Sequence, residues 1–580
     1  MKRKMMTFLL VIVLLAALTA CGKNGGKGQA EERVTQAVKA TPTATPTVTG
    51  DVTPTPSETP ATPTEIPATP SGTPATPTPA EFKAPERNCS IDFPTREVYH
   101  YDMDLTLDTK ADTIGGHVVF SFYNDSNDAW DKLCLRDYPS LFTDPQAIGY
   151  LMSNVNGATT VIENVKDGRD NSALTMTRDS DVSVIWLALS KPLAPGESMT
   201  LEYDFTTKIP TLDDRFGKAS GIYNVANFYP ILAEYTKDGW SHVAYFLNGE
   251  CFYSEIANYD VKLTVPTGVI VGSTGAEKNR AEGDGTVTYT YNAPFVRDFV
   301  FSASADFQVR TETHEGVRVN VLYTDQYADA VDLDEVAMYS QIAAKNALAA
   351  FGQAFGRYPY EELDIILTPL SAGGMEYPNL VQIGDSAYLY GAVDGVDGSA
   401  MYYDLQIVVA HEIGHQWFMG IVGSNSGREP WQDESLASYT EKVFADYCNS
   451  IGGDMRSPYG TDPGADLFDF KNKIMVDMQR EYGLLPINHG VHDYRSDSTY
   501  VYSIYYMGAL VMEALEDAIG QENFYAVIRE YVHRNAFTNA DPESFLELIY
   551  ECAGTENATV NAIIDASFDL SNYDRSRLPR

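Results

Sequence analysis

Between about residues 89 and 310 the chain alternates apolar and polar positions, which is the period of a strand with one buried face. The alternation is clearest in four segments, HYDMDLTLDT, GHVVFSFYND, SMTLEYDFTT and NYDVKLTVPTGVIVGSTG. Clusters of turn-forming residues such as NDSNDA, LAPGES and EGDGT separate these segments. The pattern predicts an N-terminal antiparallel all-β domain, a saddle or sandwich, over residues 89–310.

The hydrophobic pattern changes after residue 310. GVRVNVLYT and ELDIILTPL have the character of strands, and LDEVAMYSQIAAKNALAAFGQAFG has the period of a long helix. Further helices are predicted at 403–422, 434–448, 466–483, 505–519, 522–535 and 543–553. A few strands followed by many helices indicate an α+β domain, which we expect over residues 311–580.

The first twenty residues have a pattern of their own. Lys2, Arg3 and Lys4 precede an apolar run that ends in small residues, which is typical of a cleaved export signal over 1–20. The join LTAC resembles the lipobox of bacterial lipoproteins. The resemblance implies a lipid anchor on Cys21 and a location on the extracellular face of the bacterial cell membrane. A secretory signal that happens to precede a cysteine is the alternative.

A stalk is predicted after the signal, over residues 21–88. Positions 41–80 contain 11 Pro and 14 Thr, so 25 of 40 residues are of these two types. Such a segment cannot bury enough apolar surface to fold, and its prolines favour an extended chain. We expect a disordered Thr/Pro-rich stalk that holds the folded part away from the membrane.

The net charge of the chain limits the kinds of molecule that it can bind. The formal net charge is −39, and removal of the signal leaves −42. A chain this acidic lacks the basic face that nucleic acid requires, so nucleic acid is excluded as a partner.

Six cysteines are present, and five remain if Cys21 carries lipid. Because five is an odd number, at least one thiol stays free or pairs between chains, and we assign no disulfide.

The most informative segment is VVAHEIGHQWF, where His411, Glu412 and His415 stand in an apolar run. Two histidines four residues apart on a helix share one face and can bind one Zn²⁺. Glu412 can then reach a metal-bound water without binding the metal, as in H-E-x-x-H metalloproteases. The alternative is a buried helix whose histidines and glutamate are satisfied by other side chains.

A catalytic zinc site needs a third protein ligand. Glu434 opens the predicted helix after a glycine-containing connection of suitable length, so we expect His411, His415 and Glu434 to form the set. Asp433 is expected to be the N-cap of that helix. Glu441, two turns further on, either accepts the free N–H of a ligand histidine or is solvated.

At this point the sequence resembles the zinc aminopeptidases of the aminopeptidase N family, which are thermolysin-like gluzincins. The resemblance rests on HEIGH, eighteen intervening residues, and the glutamate within WQDES. Upstream, GGMEYPNL is similar to the exopeptidase motif of that family. The resemblance implies that Glu376 binds the free α-amine of a substrate and that three residues bind its backbone: Gly373, Gly374 and Met375. The extended EYPNL segment is expected to hold the substrate strand, although Tyr377 replaces the usual asparagine.

Downstream, DSTYVYSIYYMGALVMEAL resembles the family segment that carries the transition-state tyrosine. Four residues match its motif: Asp497, Tyr500, Tyr505 and Gly508. The resemblance implies that Tyr505 stabilises the oxyanion, with Tyr500 and Asp497 in supporting roles. Because the segment is rich in tyrosine, Tyr502 and Tyr506 are alternatives. Met507 replaces the lysine of the motif.

The family resemblance extends into the first half, where NFYPIL, GVIVGSTGA and RDFVFSASADF are similar to parts of its saddle domain. A large C-terminal helical domain, common in the family, is not expected here. This predicts an open cleft, which a separate subunit could cap. The implied function is a metallo-aminopeptidase with one Zn²⁺ per chain, in which a zinc-bound water attacks the first peptide bond and Glu412 is the general base. The alternatives are a zinc endopeptidase and an inactive, surface-displayed peptide-binding lipoprotein.

Overall fold

The structure is a computed structural model that describes residues 82–143, 158–245, 249, 253–389, 398–453 and 462–578. The predicted export signal, Cys21 and most of the predicted stalk lie outside these ranges. Within them, no helix has the length and hydropathy needed to span a bilayer.

The N-terminal part consists of eighteen described strands. In chain order they are β1 (Tyr99–Asp108), β2 (Thr113–Tyr123), β3 (Trp130–Arg136), β4 (Thr160–Asp167), β5 (Ser172–Ala173), β6 (Thr175–Arg178), β7 (Val184–Leu193), β8 (Ser198–Lys208), β9 (Phe216–Ala219), β10 (Ile222–Val225), β11 (Ile231–Leu232), β12 (Tyr235–Thr236), β13 (Gly239–Trp240), β14 (Ala257–Pro266), β15 (Ile270–Ser273), β16 (Ala276–Glu282), β17 (Thr286–Val296) and β18 (Phe301–Ser304).

These strands form an eight-stranded sheet in the order β16-β17-β14-β1-β2-β8-β4-β5, together with smaller sheets. In β1 the apolar positions are buried and most of the intervening positions are exposed, as the alternating sequence predicted. The predicted N-terminal β domain is confirmed. The expectation of purely antiparallel pairing is wrong at one place, because β1 and β14 run parallel at the centre of the large sheet. Short-range pattern does not encode the direction of a strand's distant neighbour.

The segment before β1 packs on the other half of the molecule. The guanidinium of Arg529 donates to the carbonyl oxygen of Pro85, 2.9 Å away, and the Arg357 amide donates to the carbonyl of Cys89, 2.8 Å away. The Asn88 amide also bonds to the backbone of Gln353. The prediction that the stalk extends to residue 88 is therefore wrong for its last residues, because their backbone groups are held by distant elements.

The second half combines one sheet with many helices. Its described elements are β19 (Gln308–His314), β20 (Val317–Tyr323), α1 (Leu333–Phe355), β21 (Glu362–Thr368), β22 (Gly374–Met375), β23 (Leu380–Gly384), α2 (Ser386–Leu389), α3 (Gly398–Gly414), β24 (Val422–Gly423), α4 (Glu434–Ser450), α5 (Pro463–Tyr482), α6 (Asp497–Val501), a π-helical turn (Tyr502–Met507), α7 (Gly508–Ile519), α8 (Gln521–Asn535), β25 (Thr538–Asn539), α9 (Glu543–Ala553) and α10 (Ala558–Ser567).

The main sheet of this half has the order β19-β20-β21-β23-β22. Every residue of its central strand β21 is buried, as expected for a strand covered on both faces. The edge strand β22 pairs antiparallel with β23, and among the described residues no strand pairs with its other side. Because β19 already belongs to this sheet, the domain boundary lies just before Gln308.

Most predicted helices are confirmed within a few residues. The exception is the helix expected at 403–422, which begins at Gly398 and ends at Gly414. After Gly414 the chain forms turns in which the amides of Trp417 and Phe418 bond to the carbonyl of Gly414. The apolar residues that follow, including Trp417 and Phe418, are buried by tertiary packing, which gives a non-helical segment the hydrophobic pattern of a continued helix.

Polar contacts buried between the two halves fix their arrangement. The side chain of Asn224, in β10, donates to Thr368 Oγ1 at the end of β21, 3.0 Å away. The amide of Ser273, in β15, donates to the carboxylate of Asp364, 2.9 Å away. The β domain therefore packs directly on the sheet whose edge strand is β22.

Candidate metal centre and active site

Helix α3 and the turn after it present the H-E-x-x-H residues. His411 and Glu412 lie in the last turn of α3, and His415 lies one residue beyond its end. The amide of His415 still donates to the carbonyl of His411, 3.3 Å away, so the helical spacing between the two histidines is kept. Both imidazoles therefore point to the same side, where α4 packs against α3.

Three side-chain atoms converge at this point. The Nε2 atoms of His411 and His415 are 3.2 Å apart, and Glu434 Oε2 lies 3.3 Å from each of them. Ligands at about 2.0–2.1 Å from a tetrahedral Zn²⁺ stand roughly 3.3 Å apart. The triangle thus has the size of one face of such a site, and the donor set of two imidazoles and a carboxylate fits a divalent transition metal.

The other nitrogen of His411 is also occupied. Its Nδ1 lies 3.0 Å from Glu441 Oε1, and Glu441 Oε2 lies 3.0 Å from the ammonium of Lys471 in α5. All three side chains are largely buried. Of the two alternatives for Glu441, the structure places it against His411 rather than in solvent. Lys471 was not identified from the sequence, because nothing local relates it to a residue thirty positions earlier.

His415 has a corresponding partner in Asp433. Its Nδ1 lies 2.6 Å from Asp433 Oδ1, and the hydroxyl of Ser426 donates to Asp433 Oδ2 from 3.0 Å. Asp433 stands at the N-cap position of α4 as predicted, but its side chain makes no capping bond. The carboxylate is drawn instead towards the imidazole. With oxygen acceptors at both Nδ1 atoms, each ring can keep its proton there, which leaves the Nε2 lone pairs available to a metal in the space between the two rings and Glu434.

The charges around the imidazoles favour a cation. Burial alone would lower the pKa of His411, but the Glu434 and Glu441 carboxylates outweigh it and raise that pKa to about 9. Burial likewise opposes the effect of Asp433 and Glu434 on His415, whose pKa is raised well above its ordinary value. A metal must displace protons from these nitrogens, so its binding weakens as the pH falls.

Two further carboxylates face the metal centre. Glu376 and Glu412 are buried, and each offers an oxygen within 4.8 Å of the other and of a ring nitrogen of His415. Glu376 follows directly on the edge strand β22, whereas Glu412 comes from α3. Carboxylates gathered in this way stabilise a bound cation, such as an ammonium group, next to the metal position.

The backbone of β22 lies beside these carboxylates. The Gly384 amide bonds to the Gly373 carbonyl, 2.8 Å away, so this pair is hydrogen-bonded within the sheet. Antiparallel pairs alternate, and the N–H and C=O of Gly374 are therefore directed at the open edge. The extended edge consists of Gly374 and Met375. The expectation that EYPNL forms it is wrong, because the chain turns between Glu376 and Asn379.

Tyr505 is the tyrosine that lies at the metal centre. Its half-buried ring stacks on the imidazole of His411, with centroids 5.8 Å apart and planes 15° apart. Tyr502 and Tyr506 are buried instead in a cluster with apolar residues of α5, and the ammonium of Lys471 lies 5.2 Å from the Tyr506 ring. The geometry therefore favours Tyr505 over both alternatives. It lies in the π-helical turn, a feature frequent at functional sites.

The remaining residues of the tyrosine segment are placed differently. The Tyr500 ring packs edge-on against Tyr505, with centroids 5.9 Å apart. Gly508 lies so close to Ser435 that a β-carbon would stand 2.5 Å from the serine Cβ, which accounts for a glycine there. Asp497 is exposed at the first residue of α6, so its position does not support a role at the metal centre.

The β domain closes one side of this region. A pocket beside Glu376 is lined by Tyr138, Tyr253 and Asp298 of the β domain and by Met375 and Pro378 of the second half. Burial raises the pKa of Asp298 to about 7, although it accepts hydrogen bonds from Tyr229 and Asn227. The site is therefore assembled from both halves of the chain.

Comparisons with known proteins agree with this architecture. Residues 339–567 match the model of the peptidase family M1 domain. The chain is 24% identical over 310 residues to aminopeptidase M1-B of Oryza sativa subsp. japonica, a match covering 51% of this chain and 33% of that protein. It is 26% identical over 208 residues to aminopeptidase N of Streptomyces lividans, covering 35% of this chain and 22% of the relative. The matches thus span a third or less of these curated relatives.

Solved structures share the fold. An M1 zinc metallopeptidase from Deinococcus radiodurans superposes with a TM-score of 0.52 at 18% identity, covering 81% of this chain and 93% of that one. A variant of that enzyme bound to a Tyr-Ser-Ala substrate gives a TM-score of 0.53 at 17% identity, covering 83% and 97%. The predicted multidomain fold, a β domain followed by an α+β catalytic domain, is confirmed. Residues 339–567 are thus similar to the peptidase family M1 domain, and the described part of the chain shares the fold of the M1 zinc metallopeptidases.

Proposed function

We propose that this chain is a zinc-dependent aminopeptidase that hydrolyses the first peptide bond of peptides with a free amino terminus. The observation that carries the proposal is the convergence of three ligand atoms, 3.2–3.3 Å apart, beside the carboxylates of Glu412 and Glu376. The names of the M1 relatives support the same activity.

The donor set favours zinc as the metal. Two imidazoles and one carboxylate, with the fourth position left for water or substrate, are typical of catalytic zinc sites. When bound, zinc would polarise the scissile carbonyl and lower the pKa of a water molecule. His411, His415 and Glu434 would hold it, and Glu441 and Asp433 would orient the two imidazoles.

The other residues act on the substrate and its protons. Glu412 accepts a proton from the attacking water on its carboxylate and returns it to the nitrogen of the leaving amine. The hydroxyl of Tyr505 donates a hydrogen bond to the oxyanion that develops on the scissile carbonyl. Gly374, whose N–H and C=O are directed at the open edge of β22, binds the substrate backbone as an added strand, flanked by Gly373 and Met375.

Glu376 makes the reaction an exopeptidase reaction. Its buried carboxylate pairs with the substrate's terminal ammonium and so stops the chain one residue from the scissile bond. An endopeptidase needs room for further residues beyond that point, where the buried carboxylate of Glu376 stands. The assembled ligand set and general base likewise disfavour an inactive peptide-binding protein.

The test uses the protein without its signal, measured for zinc content and for hydrolysis of aminoacyl chromogenic amides with free and N-acetylated amines. We expect one zinc per chain and cleavage of the free-amine substrates only. Glu412→Gln should keep zinc and lose turnover. The control is Glu335→Gln, which removes a carboxylate that accepts a hydrogen bond from Tyr402 and should keep both zinc and turnover. Equal cleavage of acetylated substrates, or full activity in Glu412→Gln, would contradict the proposal.

We further propose that the protein is a lipoprotein anchored through Cys21 on the outer face of the cell membrane. The support is the charged, apolar and small-residue pattern of residues 1–20 and the LTAC sequence that ends at Cys21. The Thr/Pro-rich segment would then give the enzyme access to extracellular peptides. Wild-type protein should fractionate with membranes, and Cys21→Ala should not. Membrane association of Cys21→Ala would show that the anchor lies elsewhere.

A further inference from the structure

The side chain of Gln416, the residue after the proposed ligand His415, forms hydrogen bonds to the backbone of the segment that follows Glu376. Its Oε1 accepts the amide N–H of Asn379 at 2.9 Å, and its Nε2 donates to the carbonyl oxygen of Tyr377 at 3.0 Å. The side chain is 1% exposed. One amide therefore binds the backbone on both sides of Pro378, as a neighbouring strand would, in the part of the chain that has left the sheet.

Both ends of this contact are rigid. The backbone of Gln416 is fixed by the turn after α3, where its amide bonds to the Ile413 carbonyl and its own carbonyl accepts the Ile421 amide. On the other side, the Asn379 side chain donates to the Tyr358 hydroxyl and accepts the Gly275 amide. Because both ends are held, a displacement of one segment would be passed through the Gln416 amide to the other segment.

The two elements joined by Gln416 are the ones whose separation matters for the proposed reaction. His415 is adjacent to Gln416 and belongs to the metal set, and Glu376 is adjacent to Tyr377. An aminopeptidase must hold the substrate ammonium at a fixed distance from the metal so that only the first carbonyl reaches it. A change of one residue along an extended substrate is about 3.3 Å, so this distance decides which carbonyl reaches the metal.

We propose that Gln416 is a positioning residue that sets the distance between Glu376 and the metal centre, and thereby the register of cleavage. This rests on the proposed aminopeptidase function. Gln416 contacts neither substrate nor metal in this role; it acts through the backbone of Tyr377 and Asn379. Its loss should therefore affect recognition of the amino terminus more than metal binding or turnover.

The test compares Gln416→Met, which keeps the length and removes the amide, with Gln341→Met. Gln341 is a matched control, because it is also buried in this domain and its amide also lies near two backbone carbonyls, those of Arg310 and Val319. For Gln416→Met we expect wild-type zinc content, a KM for free-amine substrates raised about tenfold, and a smaller change in kcat. The preference for free over N-acetylated substrates should fall by a similar factor, and mass spectrometry should detect release of two-residue products.

The results that would contradict the role of Gln416 differ from the result that would contradict the proposed function. Unchanged KM and unchanged free-amine preference in Gln416→Met would overturn the proposal, and so would loss of zinc in parallel with activity, which would show a purely structural role in the metal turn. If Gln416→Met does not fold, Gln416→Glu serves instead, because its carboxylate still accepts from Asn379 but cannot donate to Tyr377 when ionised. A wild-type protein without aminopeptidase activity would refute the proposed function itself.

Discussion

Gly374 lies directly against the side chain of Glu412. A β-carbon on Gly374 would stand 2.6 Å from Glu412 Cγ and closer still to its carboxylate. Any β-carbon at this position would force the Glu412 side chain to move. The position of the proposed general base is therefore set by the bare backbone of the edge strand to which the substrate would bind.

The first prediction follows from this contact. Gly374→Ala should displace Glu412 and lower kcat by about a hundredfold, while zinc content stays near that of the wild type. Gly352→Ala is the control, because the nearest atoms to its β-carbon lie 3.8 Å away. Steady-state kinetics and metal analysis of both variants check this prediction. A fully active Gly374→Ala would mean that Glu412 does not need its present position.

The tyrosine at the metal centre gives the second prediction. Tyr505→Phe should lower kcat by roughly one to two orders of magnitude with little change in KM, because the hydroxyl acts on the transition state. The control is Tyr506→Phe, which should retain most activity because Tyr506 is buried in the cluster with apolar residues of α5 and not against His411. The comparison of kcat between these two variants decides the assignment. A larger loss in Tyr506→Phe would reverse it.

Lys471 gives the third prediction. Lys471→Met leaves the buried carboxylate of Glu441 without its ammonium partner, which should weaken its hold on His411 and reduce zinc affinity by about 10- to 100-fold. Lys442→Met is a matched control, because Lys442 pairs with Asp446 and Glu516 and with neither imidazole partner. Competition with a chelator measures both affinities. Equal zinc affinity in the two variants would show that Lys471 is not coupled to the metal centre.

The fourth prediction concerns pH and the junction between the domains. Burial, and after it the nearby Glu234, raise the pKa of Glu255 from 4.5 to about 7. The folded state thus binds this proton more tightly than the unfolded state, so the contribution is favourable below pH 4.5 and is lost as the pH rises towards 7. Glu255→Gln should therefore stabilise the protein at pH 8 and hardly at all at pH 4.5. Because the side chain is only partly buried, solvent screens the charge and we expect a gain of only about 1–2 kcal/mol in the free energy of unfolding at pH 8.

Thermal unfolding of wild type and Glu255→Gln at the two pH values checks the fourth prediction. Glu315→Gln is the surface control, since Glu315 is exposed in the turn between β19 and β20. Equal stabilisation of Glu255→Gln at both pH values would show that the effect comes from packing and not from ionisation.

Local sequence was sufficient for much of this protein. The alternation of β1 and the helical period of α1 each reflect which face a residue must bury, and that information lies within a few positions. The four-residue spacing of His411 and His415 likewise fixes two side chains on one side of one element. The helix that opens at Glu434 is also predicted from local sequence, because a glycine-containing connection and the N-cap candidate Asp433 precede it.

The tertiary structure alone decided what surrounds those residues. The pairing of Lys471 with Glu441, of Asp433 with His415, and of Gln416 with the segment after Glu376 joins elements that are distant in sequence or related only by a turn. A buried polar side chain takes whichever partner the packing supplies, and the sequence pattern records only that the position is buried or polar. Spacing therefore determined which atoms can bind a metal, and the fold determined how they are oriented, charged and held.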